Sequence, residues 1–215
     1  MGIQIIGAGG TIAEVDPYKK ALRVSQIARG ASYSLVGQTG TMAAALGANS
    51  SIWAVRLDAS AGATYKVYID RLRVEWRTLT AFTTPITEGR RIALFRGSGA
   101  APSGGTTIIP VKKDSADGVS QIANTEGGAA HIATTAALTV AGITFEADPI
   151  RIFPLEHNGA AAAREERIWE FDPGSASGAQ VLNQGEVLAI RNPAAMDAAG
   201  TFKLTVTIDY HEGTI

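Results

Sequence analysis

The last fifteen residues of the chain constrain its fold more than any other segment. Apolar side chains occupy every second position there and alternate with Lys, Thr and Asp: Phe202, Leu204, Val206, Ile208 and Tyr210. A period of two is typical of a β-strand with one face on a hydrophobic core and the other in water, as in antiparallel sheets. The segment therefore predicts an all-β body built from antiparallel strands.

Short apolar runs bounded by Gly and Pro recur along the chain and predict about eight strands, a number typical of an antiparallel β-sandwich with a jelly-roll-like arrangement. The aromatic residues Trp53, Trp76 and Trp169 fall within these runs, and we expect them to pack in the core. The candidate strands lie at Ile52–Leu57, Tyr65–Arg77, Arg91–Phe95, Leu138–Phe145, Ile150–Leu155, Arg167–Phe171, Glu186–Asn192 and Thr201–His211.

The longest run changes its alternation part of the way along. Apolar side chains occupy odd positions from Tyr65 to Ile69 and even positions from Leu72 to Trp76. A strand that keeps one face buried needs an extra residue at such a change, so the pattern predicts a β-bulge at Asp70–Arg71. Past the bulge, charged side chains share the opposite face, which is either solvated or set against an acidic partner: Arg71, Arg73, Glu75 and Arg77.

The composition excludes several classes of function. No cysteine occurs among the 215 residues, which rules out disulfides, thiolate metal sites and cysteine nucleophiles. Lys and Arg number 19 against 20 Asp and Glu, so no net field favours nucleic acid or an anionic membrane. No apolar stretch approaches the roughly 18 residues of a membrane span, and the amino terminus lacks the basic region of a signal peptide. We expect a soluble protein, synthesised in the cytoplasm, with no nucleic-acid or membrane partner.

Residues 1–47 differ in composition from the rest, because they are rich in Gly, Ala, Ser and Thr and lack a sustained amphipathic period. This difference predicts an extended N-terminal arm, followed by a β-sandwich domain at 48–215. In the alternative, Ile3 to Ile6 forms the first strand of the domain, and both interpretations stay open. The apolar residues of the arm are the candidate assembly contacts: Ile3, Ile5, Ile6, Val15, Tyr18, Leu22 and Val24.

The middle of the domain, residues 97–135, contains few bulky apolar side chains and predicts long loops. Structureless excursions of this length are uncommon inside compact domains and are usually functional. We therefore expect these loops to reach outward to a neighbouring molecule.

No motif for catalysis or cofactor binding is complete. The glycines Gly7 and Gly9 follow an apolar run, but Ile12 stands where a dinucleotide site needs its third glycine. Ser98 lacks the context of a nucleophile elbow, and the adjacent carboxylates Glu165–Glu166 diverge. We expect no enzyme activity, no cofactor and no metal. The remaining candidate metal ligands have neither histidine-pair spacing nor calcium-loop alternation: His131, His157, His211, Asp114 and Asp117.

Six segments carry a likeness to known proteins: Gly9–Pro17, Ala21–Ser25, Thr39–Leu46, Ser51–Trp53, Arg71–Trp76 and Ala189–Pro193. They resemble segments of small β-rich virion structural proteins of tailed bacteriophages, such as capsid decoration and minor capsid proteins. These motifs are structural rather than catalytic, so the resemblance transfers no active residues.

The resemblance implies a non-enzymatic particle component that resides in the virion. Its arm and loops would contact other virion proteins, either the major capsid protein or tail proteins. It would also form a homo-oligomer, and a trimer is the working expectation from symmetry. Decoration or stabilisation of the capsid is the primary hypothesis. The alternative is a tail or fibre-attachment part, or a receptor-binding module that recognises a glycan.

Overall fold

The structure is a computed structural model and describes residues 14–15, 22–23, 31–42, 45–83, 89–122, 128–155, 164–171, 180–196 and 199–214. Every regular element in these residues is a β-strand, and none is a helix. Two antiparallel sheets pack against each other as a β-sandwich, which confirms the predicted fold class.

Fifteen strands occur in the described residues, and the two longest, which come fifth and last in the chain, pair with each other along their full lengths. In chain order the strands are β1 (Glu14–Val15), β2 (Leu22–Arg23), β3 (Ala31–Gln38), β4 (Ser50–Arg56), β5 (Tyr65–Thr80), β6 (Arg90–Gly99), β7 (Thr106–Thr107), β8 (Val111–Lys112), β9 (Ala129–Ile132), β10 (Ile143–Phe145), β11 (Arg151–Leu155), β12 (Arg164–Glu170), β13 (Gln180–Leu182), β14 (Glu186–Asn192) and β15 (Thr201–Thr214).

The first sheet of the sandwich, sheet I, has the strand order β12-β5-β15-β3-β8. The strand β13 also pairs with β5, along the part of β5 that precedes its contact with β12. The carboxy-terminal strand β15 lies between β5 and β3, so it is a central strand. Its predicted inward face is confirmed, because all five apolar side chains are fully buried: Phe202, Leu204, Val206, Ile208 and Tyr210.

The second sheet, sheet II, has the strand order β10-β6-β14-β4-β9-β7, and β11 also pairs with β6. The strands β10 and β11 lie on the same side of β6, one near each end. The predicted strand Leu138–Phe145 is shorter than expected. Leu138 forms only an isolated bridge to Ser51, and Gly142 turns the chain with a positive φ before β10 begins.

The core between the two sheets contains the predicted tryptophans. Trp76 stacks on Phe202 with ring centroids 3.8 Å apart, and Trp53 of sheet II is completely buried. Trp169 is partly buried and packs edge-on against Phe153 from the other sheet. Each fully buried ring contributes about 1.5–3 kcal/mol by removal of apolar area from water.

The strand β5 contains the predicted bulge. Asp209 and Tyr210 are consecutive on β15, yet they pair with Arg71 and Ile69, which leaves Asp70 as the extra residue. The buried positions of β5 change parity at this point, as the alternation predicted.

The sandwich begins earlier than residue 48. The chain divides into two compact units, residues 1–30 and 31–215, so the boundary lies at 30–31 rather than at 47–48. The strand β3 belongs to the sandwich, because it pairs with β15 and buries Tyr33 and Leu35. Its third inward position is Gly37, where a Cβ would come within 2.6 Å of Ile108 Cδ1. Because this position is a glycine and the other face carries serines, the sequence of β3 does not show the alternation that is typical of a strand.

Within residues 1–30, the described residues form a short antiparallel pair, β1 with β2. Two of the candidate assembly contacts, Val15 and Leu22, lie directly opposite each other in this pair. The alternative first strand from Ile3 to Ile6 lies outside the described residues. So do the other candidate contacts: Ile3, Ile5, Ile6, Tyr18 and Val24.

The segment 97–135 is not a set of structureless loops where the structure describes it. Its short strands extend both sheets, since β8 pairs with β3 while β9 pairs with β4 and β7. Ile108, Ile122 and Ile132 bury their side chains in the core. These isolated apolar residues anchor the segment to the core. They are too few to produce a regular alternation in the sequence.

Candidate functional site

The outer face of sheet II, which points away from the core, carries a cleft of about 350 Å³. We call it the Arg191 cleft. This volume lies at the lower end of the range for small-molecule sites, roughly 300–1,000 Å³. The lining combines two arginines, a carboxylate and apolar side chains, including Arg91, Arg191, Glu146, Phe95, Phe145, Pro149 and Ile152.

Strand register places two of these side chains on the outer face. Leu94 of β6 is a core residue, so the next side chain, Phe95, points to the opposite face. Ala189 lies directly opposite Phe95, and Arg191, two residues further along β14, therefore shares that face. Phe95 is nevertheless only 4% exposed. The outer face of sheet II is thus covered rather than solvated.

Phe145 of β10 forms a second aromatic wall. It pairs with Gly97 of β6, where a Cβ would come within 2.9 Å of both Phe145 Cδ1 and the backbone oxygen of Thr144. The missing side chain at Gly97 therefore allows the Phe145 ring of β10 to lie close to β6 within sheet II.

Arg191 is held between these walls and the chain before β4. Its guanidinium carbon lies 4.1 Å from the ring centroid of Phe145 and 5.2 Å from that of Phe95. Its Nε and Nη2 both donate to the backbone oxygen of Asn49, at 3.1 and 2.8 Å. Burial lowers the pKa of Arg191. In the described part of the chain, no carboxylate forms an ion pair with this guanidinium.

A second depression of about 270 Å³ shares Phe145 and Glu146 with the Arg191 cleft. Its other polar lining residues include Arg96, Ser98, Thr144 and Glu186. The two depressions therefore adjoin at β10. Together they form a surface that is cationic at Arg91, Arg96 and Arg191 and acidic at Glu146 and Glu186.

The outer face of sheet I has a different character, because several of its charges are paired and partly exposed. Asp209 lies 2.6 Å from Arg71 Nη2 and 2.8 Å from Lys113 Nζ. Burial raises the pKa of Asp209, but hydrogen bonds from Lys113 and Arg71 outweigh burial, and the pKa is lowered below its ordinary value. Arg73 forms an ion pair with Glu166 of β12. Part of the predicted charged outer face is therefore a network of ion pairs.

One row of sheet I contains only cations. Arg77 of β5 lies directly opposite Arg164 of β12 on one side and Lys203 of β15 on the other. None of the three forms an ion pair with a described residue. Like charges directly opposite each other destabilise a sheet, so this row lowers the free energy of unfolding.

An apolar patch lies at the edge of sheet I. Val111 of β8 pairs opposite Ser34 of β3, and Val36, two residues further along β3, shares its face. Ile109 lies two residues before Val111, in the chain segment that leads into β8. These three side chains, which we call the apolar edge, are 65%, 56% and 76% exposed in the order Val111, Val36 and Ile109.

A buried carboxylate fastens the segment that carries this edge. Glu212 is 1% exposed and accepts hydrogen bonds from Tyr65 Oη at 2.7 Å, Ser120 Oγ at 2.6 Å and the Gln121 amide at 3.1 Å. Burial, together with this hydrogen bond to Glu212, raises the pKa of Tyr65. Burial also raises the pKa of Tyr33 to about 12, and the nearby Glu212 and Asp117 carboxylates add to that increase. Residues 120–121 are therefore tied to the end of β15.

The sequence analysis did not predict Glu212 as a buried group, although the sequence contains a signal for it. Glu212 continues the inward parity of β15 two residues beyond Tyr210. A carboxylate at an inward strand position predicts a buried group that needs several donors.

The sequence-predicted residues do not form a common site. His131 Nδ1 lies 3.0 Å from the backbone oxygen of Gly104, and His211 stacks on Tyr68 and lies 2.9 Å from Asp70. His157 lies outside the described residues. Within the described ranges, no three His, Asp or Glu residues lie close enough together to hold a metal ion.

The acidic residues considered for calcium and for catalysis have other contacts. Asp114 accepts the Ala116 amide and Asp117 accepts the Ser32 amide, so both carboxylates stabilise local backbone. Glu165 is buried, whereas Glu166 faces outward to its ion pair, so the two side chains diverge as predicted.

No protein-family model and no curated protein sequence matches this chain. The part of the chain that the structure describes contains no helix with the length and apolar character needed to cross a membrane.

Proposed function

We propose that this chain is a non-enzymatic structural protein of a tailed-bacteriophage virion that decorates or stabilises the capsid as a homo-oligomer. The observation that carries the proposal is the apolar edge of Val36, Ile109 and Val111. Three large aliphatic side chains, on β3, on the edge strand β8 and just before β8, are more than half exposed. Exposed apolar clusters of this kind are typical of protein interaction sites.

The strand order supports a jelly-roll-like interpretation, a fold common in capsid proteins. Four strands of sheet I have the order β3-β15-β5-β12, and four of sheet II have the order β4-β14-β6-β11. Strands at equivalent positions in the two orders are neighbours along the chain, as in β3 and β4 or β14 and β15. A chain that passes from sheet to sheet in this way is typical of a jelly roll.

The way in which the 97–135 segment is anchored supports assembly through it. Buried Ile108 and Ile122 and the Glu212 hydrogen bonds fix this segment on the sandwich. A contact made by Ile109 and Val111 therefore loses little conformational entropy on association. Many copies of one such contact, repeated by symmetry, add up to stable attachment.

The N-terminal residues form the second part of the proposal. We propose that residues 1–30 contact neighbouring virion proteins through the apolar side chains named in the sequence analysis. The antiparallel pair of Glu14–Val15 with Leu22–Arg23 gives this segment a two-stranded element of its own.

Quantitative mass spectrometry of gradient-purified particles of the encoding phage tests this function. A structural protein should be present in many copies per particle and should resist a high-salt wash. Separated capsids and tails distinguish its position, because a capsid fraction supports decoration and a tail fraction supports the tail alternative. Absence from intact particles would contradict both positions.

A receptor-binding or glycan-binding module is the second candidate, and the Arg191 cleft favours it. The cleft is concave, is partly apolar and contains a cation without an ion pair in the described residues. Glycan-array binding by the purified chain tests this candidate. Signal that is lost on substitution at the cleft supports it, and an array without signal contradicts it.

A further inference from the structure

We propose that the Arg191 cleft binds a sugar ring that carries a carboxylate, as in a uronic acid unit of an acidic polysaccharide. This inference rests on the second function proposed above, glycan binding, and is independent of assembly through the apolar edge. Three features of the cleft carry it: an oriented guanidinium, an apolar wall and a polar far side that contains two carboxylates.

The guanidinium of Arg191 is oriented before any ligand arrives. Asn49 O accepts from Nε and Nη2, which occupies one side of the planar group. The other side, formed by Nη1 and Nη2, makes no hydrogen bond to a described residue. Two parallel N–H donors on one edge match the two oxygens of a carboxylate. Contact with Phe145 and Phe95 holds the plane of the group, so little entropy is lost on binding.

The apolar wall suits the C–H face of a sugar ring. Ile152 is 49% exposed although it lines the cleft, and Pro149 and the Phe145 ring line the same space. These side chains leave apolar surface in water that a ring of monosaccharide size would cover. The volume of about 350 Å³ accommodates one such ring.

The far side of the cleft distinguishes a sugar acid from other anions. Glu146 lines both depressions, and Glu186, Arg96, Thr144 and Ser98 line the second. Carboxylates accept hydrogen bonds from sugar hydroxyls, and they repel a second anionic group. A ligand with one carboxylate at Arg191 and several hydroxyls beside Glu146 and Glu186 satisfies both ends.

Calorimetric titration of the full chain with three probes tests the inference: methyl glucuronide, methyl glucoside and benzoate. The first two share a ring and differ in the carboxylate, and benzoate has the carboxylate without the hydroxyls. We expect methyl glucuronide to bind at least about tenfold more tightly than either of the others, the factor that a charge-assisted hydrogen bond supplies.

Arg191→Lys keeps the charge and removes the planar fork, and we expect it to weaken methyl glucuronide binding about tenfold. Arg167→Lys is the matched control, because Arg167 also lies over a phenylalanine ring, that of Phe153, away from the cleft. It should leave the affinity unchanged. The probe comparison needs no variant, so it remains decisive if Arg191→Lys fails to fold.

Failure of this inference and failure of the proposed glycan function give different results. Equal binding of methyl glucoside and methyl glucuronide would overturn the acidic class and leave glycan binding standing. Equal binding of benzoate would overturn the sugar assignment. No saturable binding of any probe would overturn the site and the glycan function, while the assembly function would be unaffected.

Discussion

The two outer faces of the sandwich differ in what covers them. On sheet I, Arg71 and Arg73 reach into solvent with side chains about half exposed, and cross-strand carboxylates pair with them. On sheet II, Phe95 is 4% exposed and Ala189 is fully buried, although both belong to the outer face. One fold therefore presents a solvated charged surface on one side and a covered, partly apolar surface on the other.

The difference arises from side chains that lie over the outer face of sheet II. Phe145 of the edge strand β10 lies beside Gly97 of β6, and Arg191 lies over the Phe95 ring. Strands covered on both faces lose the alternation of apolar and polar residues. The central strands β4 and β14 behave in this way, since almost every residue in them is buried. The comparison indicates that a cleft forms where side chains cover the outer face of a sheet, and that the position of the sheet in the sandwich is not sufficient.

The largest expected effect on stability comes from replacing one outer-face side chain on each sheet. We expect Phe95→Ala to lower the free energy of unfolding by about 3–5 kcal/mol, as for a core aromatic, because Phe95 is almost completely buried. Ile168→Ala on sheet I, where Ile168 is 51% exposed, should cost less than about 1 kcal/mol. Urea unfolding measures both. Equal losses would show that the two faces do not differ.

A smaller effect tests how closely β10 packs against β6 at Gly97. Gly97→Ala places a Cβ against the backbone oxygen of Thr144, which cannot rotate away, and should destabilise the protein by about 1–3 kcal/mol. Gly118→Ala is the control, because a Cβ there meets nothing within 4 Å. It should be neutral or slightly stabilising. Thermal unfolding measures the stability of both variants. An unchanged stability of Gly97→Ala would mean that β10 does not press on this position.

The charged face of sheet I should respond to pH. The lowered pKa of Asp209 means that its contribution to stability is present above the unfolded-state pKa and is lost as pH falls through the folded value. Asp209→Asn should therefore cost about 1 kcal/mol at neutral pH. The difference from the wild type should shrink below about pH 4. Denaturant unfolding across this range measures it, and a pH-independent difference would contradict the role of the ion pairs.

The smallest expected effect comes from the cation row of sheet I. Arg77→Gln removes repulsion from Arg164 and Lys203 and should stabilise the protein by about 0.5 kcal/mol at low salt. The gain should vanish near 1 M salt, where the screening length is about 3 Å. Arg73→Gln on the same strand breaks an ion pair and should have the opposite sign. A stabilisation by both variants would mean that the pairs of this face contribute nothing.

The sequence predicted the features that depend on one strand and its alternation. The inward face of β15 and the bulge at Asp70 are of this kind, because parity within a single run defines them. The sheet assignment of β3 was missed, since Gly37 replaces a bulky residue where Ile108 fills the space. The reason for a glycine at position 37 becomes clear only when its contact with Ile108 is known.

The candidate site was not predictable for a related reason. Phe95, Phe145 and Arg191 come from β6, β10 and β14, which are far apart in the chain. Each sits in an apolar run that resembles an ordinary core strand. One signal was present, because Arg191 interrupts the apolar β14 at an outward position. The sequence alone does not say what it would meet there.

Light scattering coupled to gel filtration tests the central claim, homo-oligomeric assembly through the apolar edge, most directly. The wild-type chain should elute as an oligomer, and the double variant Ile109→Thr, Val111→Thr should elute with the mass of one folded chain. Ile168→Thr, which changes an exposed aliphatic residue on the same sheet face away from that edge, should keep the oligomer. A wild-type protein of single-chain mass at every concentration, or a double variant that stays oligomeric, would contradict the claim.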